Sequence, residues 1–221
     1  MSVVTIERKV LQKNDELAQQ NRSLFAQNGV FVINLVSSPG SGKTSLLERT
    51  LDHLNGKINV AVVEGDVQTD LDAQRVAKFG VPVVQIVTNG ACHLEAKLVQ
   101  DAIANIDLKG VELLVIENVG NLVCPAGYDL GEAMKVVIAS TTEGDDKPLK
   151  YPAMFRNASV LIINKIDLVP YVNCNLEVLK KNAFQINPNL TVFETSCTIP
   201  TGVGTGIVEW SNWLLNKTRN S

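Results

Sequence analysis

The sequence predicts an α/β domain built on a mostly parallel sheet of about seven strands, with helices on both faces and an N-terminal helical arm. Three observations carry this. Short apolar runs recur at 31–36, 58–64, 82–88, 112–117, 134–139, 159–163 and 190–195. Amphipathic helical patterns lie between most of them, at 43–54, 69–79, 93–106, 174–186 and 205–216. The runs are continuously apolar, as strands buried on both faces must be when crossover helices cover a parallel sheet. In such sheets ligands bind outside the carboxyl ends of the strands, and the polar motifs of this chain follow its strands.

Bulk properties narrow the function classes. A chain of 221 residues holds one α/β domain, or a domain plus an arm, and 45% apolar content supports a sizeable core. The expected division is a helical arm over 1–28 and the domain over 29–221. A net charge of −3 gives no broad basic footprint, so nucleic acid is not an expected partner. No apolar run approaches the roughly 18 residues of a membrane helix, and the N-terminus lacks a secretory apolar region. Four cysteines (Cys92, Cys124, Cys174 and Cys197) show no disulfide-scaffold spacing, which points to a reduced, cytoplasmic compartment.

The elements follow in order. Residues 5–28 are polar and helix-prone, with apolar positions at Ile6, Val10, Leu17, Leu24 and Phe25, and Gly29 ends the helix. This arm packs on the domain or on a partner. The first strand runs into Ser37-Ser-Pro-Gly-Ser-Gly-Lys-Thr44, a G-x-x-x-x-G-K-[ST] phosphate loop with Ser37 in place of the first Gly. The strand–turn–helix context makes this a P-loop NTPase. The loop at Ser38, Gly40, Ser41, Gly42, Lys43, Thr44 and Ser45 would cradle phosphate oxygens with backbone N–H groups. Lys43 reaches the β- and γ-phosphates, and the Thr44 hydroxyl ligates Mg2+.

After the second strand, Asp66 is the expected Mg2+ contact, direct or through water. Asp70 either orients the attacking water or is a helix-terminal charge favoured by the macrodipole. After the fourth strand, Glu117-Asn-Val-Gly120 resembles the D-x-x-G of GTPases with Glu for Asp. Glu117 would hold the Mg2+ shell and the Gly120 N–H would sense the γ-phosphate. Asn121 stands where many GTPases place a water-positioning Gln, so intrinsic hydrolysis is expected to be slow.

Cys92 and His93 are expected to open the helix after the third strand, and Cys124 follows Gly120 by four residues. Loops after neighbouring strands converge, so these three side chains could form a soft N/S cluster suited to Zn2+ or Ni2+. The alternative is two ordinary buried cysteines and a helix-capping histidine. The stretch 140–152, charged and carrying two prolines, is the longest expected irregular segment. Its Lys147 is either a cross-subunit phosphate contact or a solvated lysine. Cys174 and Cys197 read as small apolar residues, and His53 as a surface or packing residue.

The base is read from Asn164-Lys-Ile-Asp167 at the end of the sixth strand. The Asp167 carboxylate can accept from the guanine N1–H and 2-amino group together, which adenine does not offer. The Lys165 stem would lie along the base, and Asn164 would tie this loop to the phosphate loop. Thr195-Ser196-Cys197 resembles the Ser-Ala-Lys loop that backs guanine O6 with a backbone N–H, with Cys197 where Lys is usual.

Together these pieces resemble the nickel-incorporation GTPase of hydrogenase maturation, the HypB family of SIMIBI-class P-loop GTPases, related to the urease accessory GTPase. The resemblance runs from about residue 29 to the C-terminus. Its stretches are Ser37–Thr44, Val63-Glu-Gly-Asp66, Ala91-Cys-His-Leu-Glu95, Glu117–Pro125, Glu143-Gly-Asp-Asp-Lys147 and Asn164–Asp167. It implies hydrolysis of GTP to GDP and phosphate with Mg2+, and a GTP-dependent homodimer. It also implies an interfacial Ni2+ or Zn2+ site of Cys92, His93 and Cys124. Other hydrogenase maturation proteins and the hydrogenase large subunit would be its partners. No Cys precedes Cys92 and the arm has no His, so the N-terminal nickel motif and His-rich tract of some members are not expected. The rival readings are a urease-type nickel-insertion GTPase, whose metal motif is Cys-Pro-His, and a P-loop kinase or ATPase with structural cysteines, which Asn164–Asp167 disfavours. A metal-binding module with a vestigial nucleotide site is a third.

Overall fold

The computed structural model describes residues 6–68, 70–198 and 205–221. Its seven strands are β1 (Phe31–Ser37), β2 (Val60–Asp66), β3 (Val83–Val87), β4 (Leu113–Glu117), β5 (Met134–Ser140), β6 (Val160–Asn164) and β7 (Thr191–Thr195). They form one parallel sheet in the order β3-β2-β4-β1-β5-β6-β7. The helices are α1 (Ile6–Asn28), α2 (Lys43–Leu54), α3 (Leu71–Ala77), α4 (Ala96–Ile103), α5 (Lys147–Lys150), α6 (Pro152–Asn157), α7 (Leu176–Ile186) and α8 (Ile207–Arg219).

Successive strand side chains point to opposite faces, and both faces are covered. On one, Ile33, Leu35, Val62, Val115, Ile138 and Ile162 pack against α2 and α8. On the other, Val32, Val63 and Ile116 pack against α1 and α4, while Val137, Leu161 and Ile163 pack against α6 and α7. This double burial is why the strands read as unbroken apolar runs. Trp210 of α8 is buried, and its indole N–H donates to Thr50 Oγ1 of α2 at 3.0 Å.

The N-terminal helix packs on its own domain. Ala18 and Phe25 are buried in it. Asn21 Nδ2 donates to Ala96 O (2.9 Å) and Leu130 O (3.0 Å), and Arg22 holds both carboxylate oxygens of Asp129 at 2.8 Å. Gly131 lets the chain come this close: its φ is +93°, and a Cβ there would lie 2.7 Å from Ala18 O.

Two expectations about elements are corrected. The stretch 140–152 is largely helical: a 3₁₀ turn over Thr141–Glu143, boxed by Ser140 and Glu143, leads into α5 and α6. Its two prolines sit in first turns, where a missing N–H costs nothing, so they mark helix starts. The helix expected from residue 93 begins at Ala96, with Glu95 at its N-cap. Among the described residues no helix is long and apolar enough to cross a membrane.

Candidate nucleotide and metal site

A cleft of about 510 Å³ opens at the carboxyl ends of β1, β2 and β4. The phosphate loop makes one wall, with Gly40 and Gly42 in the left-handed region at φ +76° and +91°. Lys43 and Thr44 open α2 and point across the cleft to β4. Lys43 Nζ donates to Glu117 Oε1 at 2.8 Å, and Thr44 Oγ1 donates to the same oxygen at 2.7 Å. Burial disfavours the Lys43 ammonium, but the Glu117 carboxylate outweighs it and the pKa ends above its ordinary value. Ser41 Oγ donates to Ser38 O at 2.7 Å.

The acidic wall differs from the expectation. Glu117 is joined by Glu64 and Asp72, whose carboxyl oxygens all lie within 4.8 Å of one another. Glu64 Oε2 and Glu117 Oε2 are buried without a hydrogen-bonding partner. Burial, then the neighbouring Glu117 charge, hold the Glu64 carboxyl far above the usual glutamate range. Orphaned hard oxygens beside a phosphate loop and the Thr44 hydroxyl fit Mg2+. Asp66 lines the same cleft at the end of β2, where its Oδ1 accepts from Gln68 N–H at 3.2 Å, outside the three-carboxylate cluster. Asp72 is held by Arg75 Nη1 at 2.9 Å. Sequence reasoning missed Glu64 and Asp72. The available signal was a carboxyl inside an apolar strand, on the same face as Val62 and Asp66.

Of the two readings of Asp70, the structure favours the helix-terminal charge: Asp70 does not line the cleft. It stands at the N-cap position of α3, and its Oδ2 accepts from Gln74 Nε2 at 3.0 Å. The helix starts just after Asp70, so the carboxylate turns outward and Asp72, within the first turn, faces the cleft. Lys147 is not a solvated lysine. It is largely buried, and its Nζ donates to Ser38 Oγ of its own phosphate loop at 3.3 Å.

The Asn164–Asp167 segment closes the far side. Asn164 Nδ2 donates to Ser41 O at 2.9 Å, and Lys165, at φ +62°, donates from Nζ to Gly40 O at 2.7 Å. The Asp167 oxygens accept from Ser196 Oγ (2.6 Å) and Thr198 Oγ1 (3.1 Å). Of the backbone N–H groups in the Thr195-Ser196-Cys197 loop, that of Ser196 is engaged, donating to Thr205 O at 2.9 Å. Its hydroxyl, aimed at Asp167, is what faces the base loop. The Cys197 thiol is pushed up to about 11 by burial, and Cys197 packs against the core.

The cysteine cluster lies beside this cleft. Cys92 Sγ is 2.9 Å from Cys124 Sγ and 3.7 Å from His93 Nδ1, and one ligand atom from each residue lies within 4.8 Å of the others. The strands before these loops are not neighbours, because β2 lies between β3 and β4. The chain crosses the end of β2 at Gly65, where a Cβ would come within 2.8 Å of the buried Leu94. A glycine there lets Cys92 and His93 reach the β4 loop. Neither opens a helix, since α4 begins at Ala96, so no helix N-terminus favours a Cys92 thiolate. The hydrogen bond shared with Cys124, then burial, raise the Cys92 thiol instead. His93 packs against Tyr128, with ring centroids 4.0 Å apart and planes tilted by 39°, and burial lowers its pKa. Its Nε2 is 3.8 Å from Glu95 Oε1, too long for a hydrogen bond. Two thiols and a neutral imidazole are the donor set of a soft or borderline cation.

A family model described as the CobW/HypB/UreG nucleotide-binding domain matches residues 31–194. The chain belongs to this family. Within it the likeness is to HypB. The hydrogenase maturation factor HypB of Azotobacter vinelandii is 50% identical over 212 residues, 96% of this chain and 69% of that protein. The hydrogenase/urease maturation factor HypB of Helicobacter pylori is 42% identical over 222 residues, 99% of this chain and 89% of that protein. The crystal structure of H. pylori HypB in complex with nickel superposes with a TM-score of 0.88 at 42% identity, covering 94% of this chain and 96% of that one. HypB proteins are GTPases of hydrogenase maturation, and this chain is one of them.

Proposed function

We propose that this HypB chain couples GTP-dependent homodimerisation to the delivery of nickel into the hydrogenase large subunit, in the cytoplasm. Nickel is the cargo, carried by Cys92, His93 and Cys124, and Zn2+ competes for the same donors. The observation that carries this reading is the loop leaving β4. At its start Glu117 engages Lys43 and Thr44, and seven residues on Cys124 meets Cys92.

The chain's own groups supply most of the chemistry. Mg2+, held by Thr44 and Glu117 with Asp66 and the Glu64 carboxyl beside it, would neutralise charge on the β- and γ-phosphates. Lys43 exchanges its Glu117 partner for phosphate oxygens, which frees the start of the β4 loop. The Gly120 N–H, at the cleft wall, senses the γ-phosphate. Asn164, Lys165 and Asp167 select guanine, with Ser196 and Thr198 orienting the Asp167 carboxylate. Lys147, beside Ser38, adds positive charge at the cleft mouth and is placed to contact phosphate there. The Asn121 amide donates to Cys92 O at 3.2 Å instead of facing the phosphates, so turnover stays slow, about 10⁻⁴ to 10⁻² per second. Hydrolysis then resets the loop and favours release of nickel to the acceptor.

The test is light-scattering mass with nickel quantified per particle, in GDP and in a non-hydrolysable GTP analogue. A dimer carrying Cys-dependent nickel in the analogue, and monomers in GDP, support the reading. The same mass and nickel content in both states refutes it. A second acceptor, urease, is favoured by the name of the H. pylori relative. Incubation with apo-hydrogenase and apo-urease separates the two by which enzyme gains nickel.

A further inference from the structure

The segment Asn118–Cys124 touches both the phosphate loop and the cysteine cluster. At one end, Gly120 lies against Pro39: a Cβ there would be 3.1 Å from Pro39 Cα and N. At the other, two asparagines grip the Cys92–Leu94 segment from either side. Asn118 Oδ1 accepts from Leu94 N–H at 3.1 Å, and Asn121 Nδ2 donates to Cys92 O at 3.2 Å. The two grips are unequal. Asn118 is buried, its amide also donates to Asn34 Oδ1 at 3.3 Å, and its Oδ1 further accepts from Val119 N–H at 2.9 Å. It is fixed to the sheet. Asn121 is half-exposed and follows Gly120 directly, so it moves with the residue that faces the phosphate loop.

We infer that Asn121 is the positioning residue that transmits nucleotide state to Cys92. This rests on the proposal that nucleotide and metal binding are coupled. Asn118 serves as the fixed pivot at Leu94. A shift of the Gly120–Asn121 backbone pulls on the Cys92 carbonyl and, through the same loop, moves Cys124. Both thiols change place together while His93, packed against Tyr128, stays. The Asn121 Oδ1 meanwhile accepts from Val123 N–H at 2.9 Å, which keeps the turn to Cys124 intact. One side chain thus uses its acceptor to shape the loop and its donor to hold the metal segment.

That division makes Asn121→Asp a selective variant. A carboxylate keeps the acceptor for Val123 N–H and loses the donor to Cys92 O. The experiment titrates Ni2+ into wild type, Asn121→Asp and Asn121→Gln, each with GDP and with the non-hydrolysable analogue. The thiolate-to-nickel charge-transfer band is the readout. The ratio of the two nickel affinities is the quantity compared, with GTP turnover and melting temperature measured alongside. The inference predicts a ratio near one for Asn121→Asp, with nickel still bound in both nucleotide states, and partial rescue by Asn121→Gln, whose amide retains a donor. An Asn121→Asp ratio equal to a wild-type ratio that differs from one overturns the inference and leaves the coupled function standing. Loss of nickel binding in Asn121→Asp in both nucleotide states overturns it in favour of a purely structural role. A wild-type ratio of one removes the coupling itself, and the proposed function with it.

Discussion

Glu64 and Glu117 are register partners on the adjacent parallel strands β2 and β4, and both side chains are buried on the face that carries Lys43. Neighbouring strands are about 4.8 Å apart, so two carboxylates stand side by side with one lysine between them and the solvent. Two like charges at that spacing cannot both ionise cheaply in a buried site. Burial, and then the neighbouring Glu117, hold the proton on Glu64.

The proton on Glu64 sets a pH dependence. A carboxyl whose folded pKa is raised binds a proton that the unfolded chain has released. Stability of the nucleotide-free protein therefore falls as pH rises above the ordinary glutamate value, by up to about 1.4 kcal/mol per pH unit. Lys43, also shifted upward, stays charged in that window and adds no slope. Urea midpoints in EDTA between pH 5.5 and 8.5 should decline in wild type and run flatter in Glu64→Gln. Identical slopes would show that Glu64 is ionised.

Gly42 is where the phosphate loop and the base loop come into close contact. Its φ is +91°, and an added Cβ would sit 2.5 Å from Asn164 Nδ2. Gly42→Ala should cost about 1–3 kcal/mol and break the Asn164–Ser41 bond. Fluorescent GDP titration should show affinity falling at least tenfold. Wild-type affinity would mean that the two loops bind independently.

Asp167 is oriented before any base arrives, by the hydroxyls of Ser196 and Thr198. Asp167→Asn replaces an acceptor pair with a donor and an acceptor. Affinity for GTP should drop about tenfold to a hundredfold, the worth of one lost hydrogen bond to a charged group. Xanthosine triphosphate, with a carbonyl where guanine has its amino group, should gain. Competition binding with GTP, ATP and xanthosine triphosphate reads both effects, and an unchanged order of preference would remove Asp167 from base recognition.

Cys197 should be nearly inert. With its thiol at about 11, roughly one molecule in a thousand is thiolate at pH 8, and the thiolate is the reactive form. Iodoacetamide labelling mapped by peptide mass should be slow there at pH 8 and rise about tenfold per unit towards pH 10. Fast labelling at pH 8 would contradict the buried placement.

The parts of the site legible in the sequence are those whose chemistry is contiguous. Ser37–Thr44 and Asn164–Asp167 each carry their geometry within one turn, so residue type and spacing suffice. Glu64 hid because its partner is 53 residues away (117 − 64 = 53) and becomes a neighbour only through the β2–β4 register. Cys92 and Cys124 were readable as a cluster but not the path that joins them, since that path depends on Gly65 letting Leu94 cross β2. Ser196 and Asp70 stayed ambiguous in the sequence for a local reason. Whether an N–H or a carboxylate faces inward depends on where the chain turns, and in each case one residue decides it. The arm was readable as a helix, but its docking rests on Asn21 and Arg22, polar residues whose partners, Ala96, Leu130 and Asp129, lie far along the chain.

The measurement that tests the central claim most directly is the nickel affinity of one protein preparation in its two nucleotide states. Ni2+ is titrated with GDP and with non-hydrolysable GTP, against a Cys92→Ala/Cys124→Ala control. The account predicts affinities at least fivefold apart, the usual lower bound of a coupling of about 1 kcal/mol, with binding abolished in the control. Equal affinities in the two states, or nickel retained by the control at the same stoichiometry, would contradict it.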